Sequence, residues 1–269
     1  MTETAAIMGR SLVIIGGEVS KGVRVLWAYP AAIVLQVATS LAIYLGMQFI
    51  IGQGRFAGDL LPPTLVAMTV FIFLFIASLA MVADLMEEMR TGTLEQAHLS
   101  PLPQSVLVLG RLGSASLQGV GVAVIAAAVP MLLLHVAIPV RWEALVPFVL
   151  TLLNGLAFTL LFTGIALRVP FIGEIHHLAT GVIGLFNGMY VPVAMFPDWL
   201  QTVVAVVPTT VGIRTTLAIL FQHRSLAEVW ADGSLPALVA YTVALLALGW
   251  LVFVRNDRRA MRAGALGQY

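Results

Sequence analysis

Hydrophobic positions in this chain come in long unbroken runs, with the polar positions clustered between them. No Asp, Glu, Lys or Arg falls within residues 25–54, 60–83, 112–140, 144–167, 175–197 or 233–254. A helix rises about 1.5 Å per residue, so about 20 apolar residues cross the ~30 Å hydrocarbon core of a bilayer. Every one of these runs reaches that length. The pattern predicts an all-α integral membrane protein with six transmembrane helices, over 25–51, 60–83, 106–134, 144–167, 175–194 and 235–254. Ahead of the first span, Leu12, Ile15, Val19, Val23 and Leu26 recur at helical spacing, while Glu18 and Lys21 fall on another face. That is the pattern of an amphipathic interface helix lying on the membrane, over 10–24.

The stretch 195–234 resists a simple reading. Residues 199–213 carry no charge but are too few to span. Extending the run to residue 221 as a seventh crossing would bury Arg214 and move the arginine-rich C-terminus outside. Both changes are unfavourable. With Pro197 and Pro208 as breakers, the stretch reads as a re-entrant or interfacial hairpin on the outer face. The tail 255–269 is polar and is expected to fray. There is no internal repeat and no linker, so 1–269 reads as a single transmembrane domain.

Composition agrees with the pattern. The chain is 60% hydrophobic and 10% charged, with mean hydropathy +1.00. A soluble domain carries about 25% charged residues. The net charge of +1 gives no argument for nucleic acid. The absence of cysteine excludes disulfides, thiolate metal sites and cysteine nucleophiles. No cleavable signal pattern is present at the N-terminus, so the first span is expected to serve as an uncleaved anchor. With the N-terminus inside, 10 of the 14 Lys and Arg lie on the inner side and 4 on the outer. Positive charge prefers the cytoplasm, so both termini are predicted to be cytoplasmic.

Polar residues inside the spans form stripes. Gln36, Ser40, Tyr44 and Gln48 recur every fourth residue along the first span, a line about 18 Å long. Asn154 with Thr151, and Asn187 with Thr180, occupy spans four and five. Polar groups facing lipid are costly, so these should face helices or water. They read either as interhelical hydrogen bonds or as a pathway or subunit seam for an amphipathic solute. Gly184 and Gly188, with Gly181 a turn earlier, allow close helix approach.

Between spans two and three lies a short polar segment, 84–105. Within it are Glu87, Glu88, Arg90, Gly92, Thr93, Leu94, Glu95, His98, Leu99 and Pro101. Thr93 is placed to cap a helix beginning near Leu94, and Pro101 to stop it. A stiff segment pinned between two spans has the form of a plug that docks on a soluble partner. The order Glu88-x-x-x-Gly-Thr-Leu-Glu95-x-x-x-x-Ser-Pro101, with Gly110-Arg111 opening the next span, resembles the signature of ABC-type export permeases of the type-2 family. A second set, Pro192-x-x-x-Phe196-Pro197-x-Trp199-Leu200 followed by Pro208 and Arg214, resembles that family's outer re-entrant helices.

The resemblance implies a six-helix subunit pairing with a second copy and docking on a cytosolic ATP-binding cassette subunit. It assigns coupling to Glu87, Glu88, Gly92, Thr93, Leu94, Glu95 and Pro101. It assigns an outer gate to Pro192, Phe196, Pro197, Trp199, Pro208 and Arg214. It implies ATP and magnesium on the partner, no cofactor on this chain, membrane lipids as neighbours, and a bacterial or archaeal plasma membrane. Drug and antibiotic exporters are the nearest in kind, since the outer segment is compact and apolar. A polysaccharide or lipid-linked glycan exporter is the alternative within the family.

Other chemistry fails on the residues. A phosphate-binding GxxxxGK[ST] loop is absent, and the single lysine is Lys21. HExxH and a paired membrane aspartate are absent. Glu174 and His177 have metal-pair spacing but no partners, so they read as an interfacial polar pair. An ion-coupled carrier is the rival from another class. Such carriers keep ionisable residues at membrane depth, and the six runs hold no Asp, Glu, Lys or Arg.

Overall fold

A computed structural model describes residues 2–56, 58–93, 104–169 and 172–263. Proline sets the first boundary. Pro30 lacks an amide proton and disfavours helical geometry in the residue before it. Tyr29 accordingly leaves the helical region at φ −125°, ψ 55°. It separates α1 (Thr2–Ala28) from α2 (Pro30–Ile51). The first span therefore starts at Pro30 and not at 25, and residues 25–28 belong to α1.

The remaining long helices are α3 (Leu61–Thr91), α4 (Gln104–Leu133), α5 (Leu145–Ala166) and α10 (Ser234–Ala263). Between them lie α6 (Ile172–Phe186), α7 (Asp198–Val204), α8 (Thr210–Phe221) and α9 (Leu226–Ala231). Among the described residues, five helices are long and apolar enough to cross a membrane: α2, α3, α4, α5 with the short turn before it, and α10. The expected fifth span is shorter than its apolar run. Helix α6 has 15 residues, about 22 Å, and ends at Asn187 and Gly188, the latter at φ +98°. Two other helices outrun their expected spans. Helix α3 continues through Asp84, Glu87 and Glu88 to Thr91, where Gly92 at φ +71° ends it. Helix α10 continues past 254 to Ala263, so residues 255–263 are helical where fraying was expected.

Helix α3 is the hub. Of its most apolar stretch, 72% is buried, against 22% for α2 and for α10. It packs on α4 and α5, and α5 packs on α10. Small residues bring these axes together. A Cβ added at Gly119 of α4 would lie 2.9 Å from the Phe73 carbonyl oxygen of α3. One at Gly249 of α10 would lie 2.8 Å from the Ala157 carbonyl oxygen of α5, and one at Gly164 would lie 2.7 Å from the Phe253 backbone. Hydrogen bonds reinforce the α5–α10 seam: Asn154 Nδ2 donates to Thr242 Oγ1 at 2.9 Å, and Asn256 Nδ2 to the Gly164 carbonyl at 2.8 Å.

Helix α1 packs along α4. Glu18 faces Gly110, Val19 faces Gly113, Gly22 faces Ser114 and Leu26 faces Gly121. The order rises on both helices, so α1 and α4 run in the same direction. Contacts in step from 110 to 121, about 16 Å of helix, require near-parallel axes. The second half of α1 is thus aligned with α4.

Helix α2 is attached by polar bonds near its far end. The Tyr44 hydroxyl donates to the Leu61 carbonyl at 3.2 Å and shares a hydrogen bond with Thr64 Oγ1 at 2.9 Å. Gln48 Nε2 donates to the Tyr190 carbonyl at 2.9 Å. Both side chains are 1% exposed.

Two stability predictions follow from this packing. Gly249→Ala should destabilise the protein by about 1–3 kcal/mol through overpacking. Gly46→Ala, which meets open space, should not; graded SDS unfolding in mixed micelles reads both. Tyr44→Phe should lower stability by about 0.5–1.5 kcal/mol, and Tyr44→Ala should cut membrane abundance further. Unaltered abundance in Tyr44→Ala would show that α2 is held by something else.

Candidate functional site

Three regions hold the polar groups that the hydrocarbon pattern leaves over. At the basic end, where α1, α3 and α4 meet, two ion pairs bind the helices to one another. Lys21 Nζ lies 2.9 Å from Asp84 Oδ2, joining α1 to α3. Arg111 Nη2 lies 2.6 Å from Glu88 Oε2, joining α4 to α3. Burial pulls the Lys21 ammonium down, but its hydrogen bond to Asp84 and the charges of Asp84, Glu18 and Glu88 outweigh that. The group is held above its ordinary value of 10.5. The pair's contribution is therefore fully present below that value and lost as pH rises above it.

These pairs sort the predicted coupling residues. Glu88 is turned inward onto Arg111. Glu87 is exposed and, among the described residues, pairs with Arg90 at 3.6 Å. Gly92 and Thr93 mark the end of α3, with Thr93 Oγ1 2.9 Å from Thr91 Oγ1. Leu94, Glu95 and Pro101 lie outside the described residues.

The second region is a cavity of about 520 Å³ between α2, α3 and α6. Gln36, Thr39 and Ser40 line it from α2, and His177, Thr180 and Gly181 from α6. Phe71, Phe75 and Tyr190 supply aromatic walls. Behind it, His176 is 1% exposed and shares a hydrogen bond of 2.7 Å with Ser78 Oγ, pinning α6 to α3. The sequence stripe on α2 is thus divided. Gln36 and Ser40 reach the cavity, while Tyr44 and Gln48 are consumed in packing. Asn154 belongs to the α5–α10 seam. Asn187 closes a turn, its Oδ1 accepting from the Met189 amide at 2.9 Å. The six polar candidates do not converge on one site. Sequence reading passed over Thr39 and placed His177 only in an interfacial pair. The signal that could have found Thr39 was its position about one helical turn after Gln36 and next to Ser40.

The third region is the opposite end, built from 187–233. Pro192 precedes a short turn at Val193–Met195, and Pro197 precedes α7. Phe196 packs edge-on against Phe186 at 6.4 Å and accepts from Gln201 Nε2 at 2.8 Å. Trp199 is exposed. Pro208 precedes Thr209, which turns into α8 at φ +75°. The segment sits deep. A Cβ at Gly188 would lie 3.9 Å from Ala67, six residues inside the start of α3. Gly212 packs on Thr151, six residues inside the start of α5. Arg141 Nη1 donates to the Ile219 carbonyl at 3.1 Å, and Arg141 Nη2 pairs with Glu143 at 2.9 Å. Arg224 pairs with Asp232 at 2.5 Å. The Asp232 carboxyl is held below its usual range, first by the Ser234 amide and also by Arg224. Its share of that clasp is therefore present at neutral pH and lost as pH falls below the ordinary carboxylate value. Arg214 lines a cavity of about 420 Å³ with Pro192, Phe221 and Arg224.

Among the described residues no group of His, Asp or Glu is placed to hold a metal ion. A comparison with curated proteins finds no match. The sequence model of the ABC-2 type transporter family matches residues 19–221, from α1 through α8. Three-quarters of the chain is covered, including the hub, the inner ion pairs and the cavity between α2, α3 and α6, and the chain belongs to the ABC-2 type transporter family, as a membrane transport component rather than a catalyst.

Proposed function

We propose that this chain is the membrane-spanning permease subunit of an ATP-driven exporter that moves an amphipathic solute, drug-like or lipid-like, out of the cytoplasm or inner leaflet. It works as a pair of copies on two separate ATP-binding subunits, which supply ATP and magnesium. The observation that carries this reading is the cavity between α2, α3 and α6. It combines an amide, hydroxyls and an imidazole with phenyl walls, which suits a solute with both polar and apolar parts. It opens at the edge of the bundle, and an edge cavity is completed by a second copy. Exposed Ile175, Leu178, Val182 and Leu185 recur along α6 beside it and supply an apolar face for that copy.

On this reading the basic end is cytoplasmic, and α6 is a sixth crossing finished by the turn after Phe186. Helices α7 and α8 are the re-entrant outer pair. The helical extension of α3 through Glu87 transmits the push of the ATPases. The Lys21–Asp84 and Glu88–Arg111 pairs make α1, α3 and α4 respond as one body. Helix α2 and α6 then move against that body, and the cavity between them opens outward.

The absence of native cysteine makes the test direct. Ser40→Cys should be labelled by a water-soluble maleimide, and transported solute should slow the labelling. Tyr44→Cys, where the native side chain is buried, should label slowly with or without solute. Equal labelling at both positions would remove the cavity from the pathway. Coupling has its own check. Glu87→Lys should weaken co-purification with the ATPase at normal abundance. Glu88→Arg should lower abundance, and adding Arg111→Glu should restore it.

A further inference from the structure

We infer that the cavity beside Arg214 is a binding site for the anionic head of an amphiphile, with phosphate as the recognised group. The argument begins with α8. Gly212, Ile213, Thr215 and Thr216 are buried around Arg214, yet Arg214 itself is exposed and lines the cavity. The helix is therefore fixed on its other sides and holds this guanidinium toward the cavity.

Charge accounting singles Arg214 out. Of the other arginines at this end, Arg224 is satisfied by Asp232 and Arg141 by Glu143 and two backbone carbonyls, while Arg55 is exposed on the loop after α2 and does not line the cavity. Arg214 makes no ion pair or hydrogen bond with any described residue. A guanidinium near hydrocarbon is costly unless an anion or water meets it. Its five donors in a planar fork match the oxygens of phosphate. Because Asp232 already neutralises Arg224, the cavity keeps one net positive charge.

The rest of the lining says what is attached to that anion. Pro192, Val193, Val211, Leu217 and Phe221 form an apolar wall. Thr215, Gln222 and Ser234 offer neutral polar groups near the charge. A small inorganic ion would use only the polar corner, whereas an anion bearing hydrocarbon uses both. The depth of the segment, six residues in from the ends of α3 and α5, puts the cavity where a lipid headgroup meets its chains. The site goes beyond the export reading, and its test measures binding with no ATPase present.

The full chain is reconstituted in phosphatidylcholine discs containing phosphatidylglycerol, and the retained lipid is counted by native mass spectrometry. The wild type should retain phosphatidylglycerol in preference to phosphatidylcholine. Arg214→Gln should reduce that retention roughly tenfold, the scale of one charge-assisted hydrogen bond, and Arg214→Lys should keep most of it. Added inorganic phosphate separates two sources of the same chemistry. If it displaces the lipid, the phosphate group alone is recognised. If it does not, the apolar wall contributes and the ligand is a lipid. Either result supports the site. Equal phosphatidylglycerol retention in wild type and Arg214→Gln overturns it.

Discussion

Helices that share a bilayer gain nothing by hiding leucine from lipid, so this structure depends on close backbone approach around α3. Gly119 lets α4 reach the Phe73 carbonyl, and Gly155 lies against Phe73 and Leu74 from α5. Gly164 and Gly249 extend the same device to α10. At such separations dispersion is gained along whole helices, and short polar side chains can bridge them. Asn154 to Thr242 and Ser78 to His176 are bridges of that kind. Each places a polar group where lipid could not satisfy it.

The attachments are uneven, and the unevenness has consequences. Helices α3, α4, α5 and α10 form a block joined by glycine contacts, with α1 strapped to α4 by Gly110, Gly113, Gly22 and Gly121. Helix α2 bonds to the block through Tyr44 and to the turn after α6 through Gln48, packs Val37 and Leu41 against the core, and leaves most of its surface uncovered. Helix α6 is held by His176 near its start and by Gly184 against Phe71. The cavity lies between the two weakly attached helices. On the proposed export mechanism a rigid part receives force and a looser part opens, and the packing has a part of each kind.

The spans were legible because burying a charge in hydrocarbon costs so much that the charge-free runs mark them directly. The family was legible for a related reason. Residues around Gly92 and Pro192 are constrained by backbone geometry, and Gly92 at φ +71° and Pro192 before a tight turn bear that out. Less legible were the ends. Hydropathy gives no sign of where a helix continues into water, so the extension of α3 to Thr91 and of α10 to Ala263 was missed. Apolar character likewise persists past Phe186 although the helix stops at Asn187 and Gly188.

The candidate site shows the same division. A four-residue period on α2 put Gln36, Ser40, Tyr44 and Gln48 on one face, and they are on one face. Whether a polar residue on that face serves packing or faces a cavity depends on which helix lies opposite, and sequence spacing carries no such information. Tyr44 meets the buried start of α3 and is consumed there, while Ser40 meets a gap before α6. Glu88, read from the sequence as a docking residue, is paired with Arg111, twenty-three positions away. By itself the sequence determined the medium, the helices and the family, because each follows from local composition or local backbone constraint. Which polar groups are spent inside the fold and which remain available, Arg214 and Ser40 above all, was decided by tertiary structure, since a partner for a buried polar group comes from a distant part of the chain.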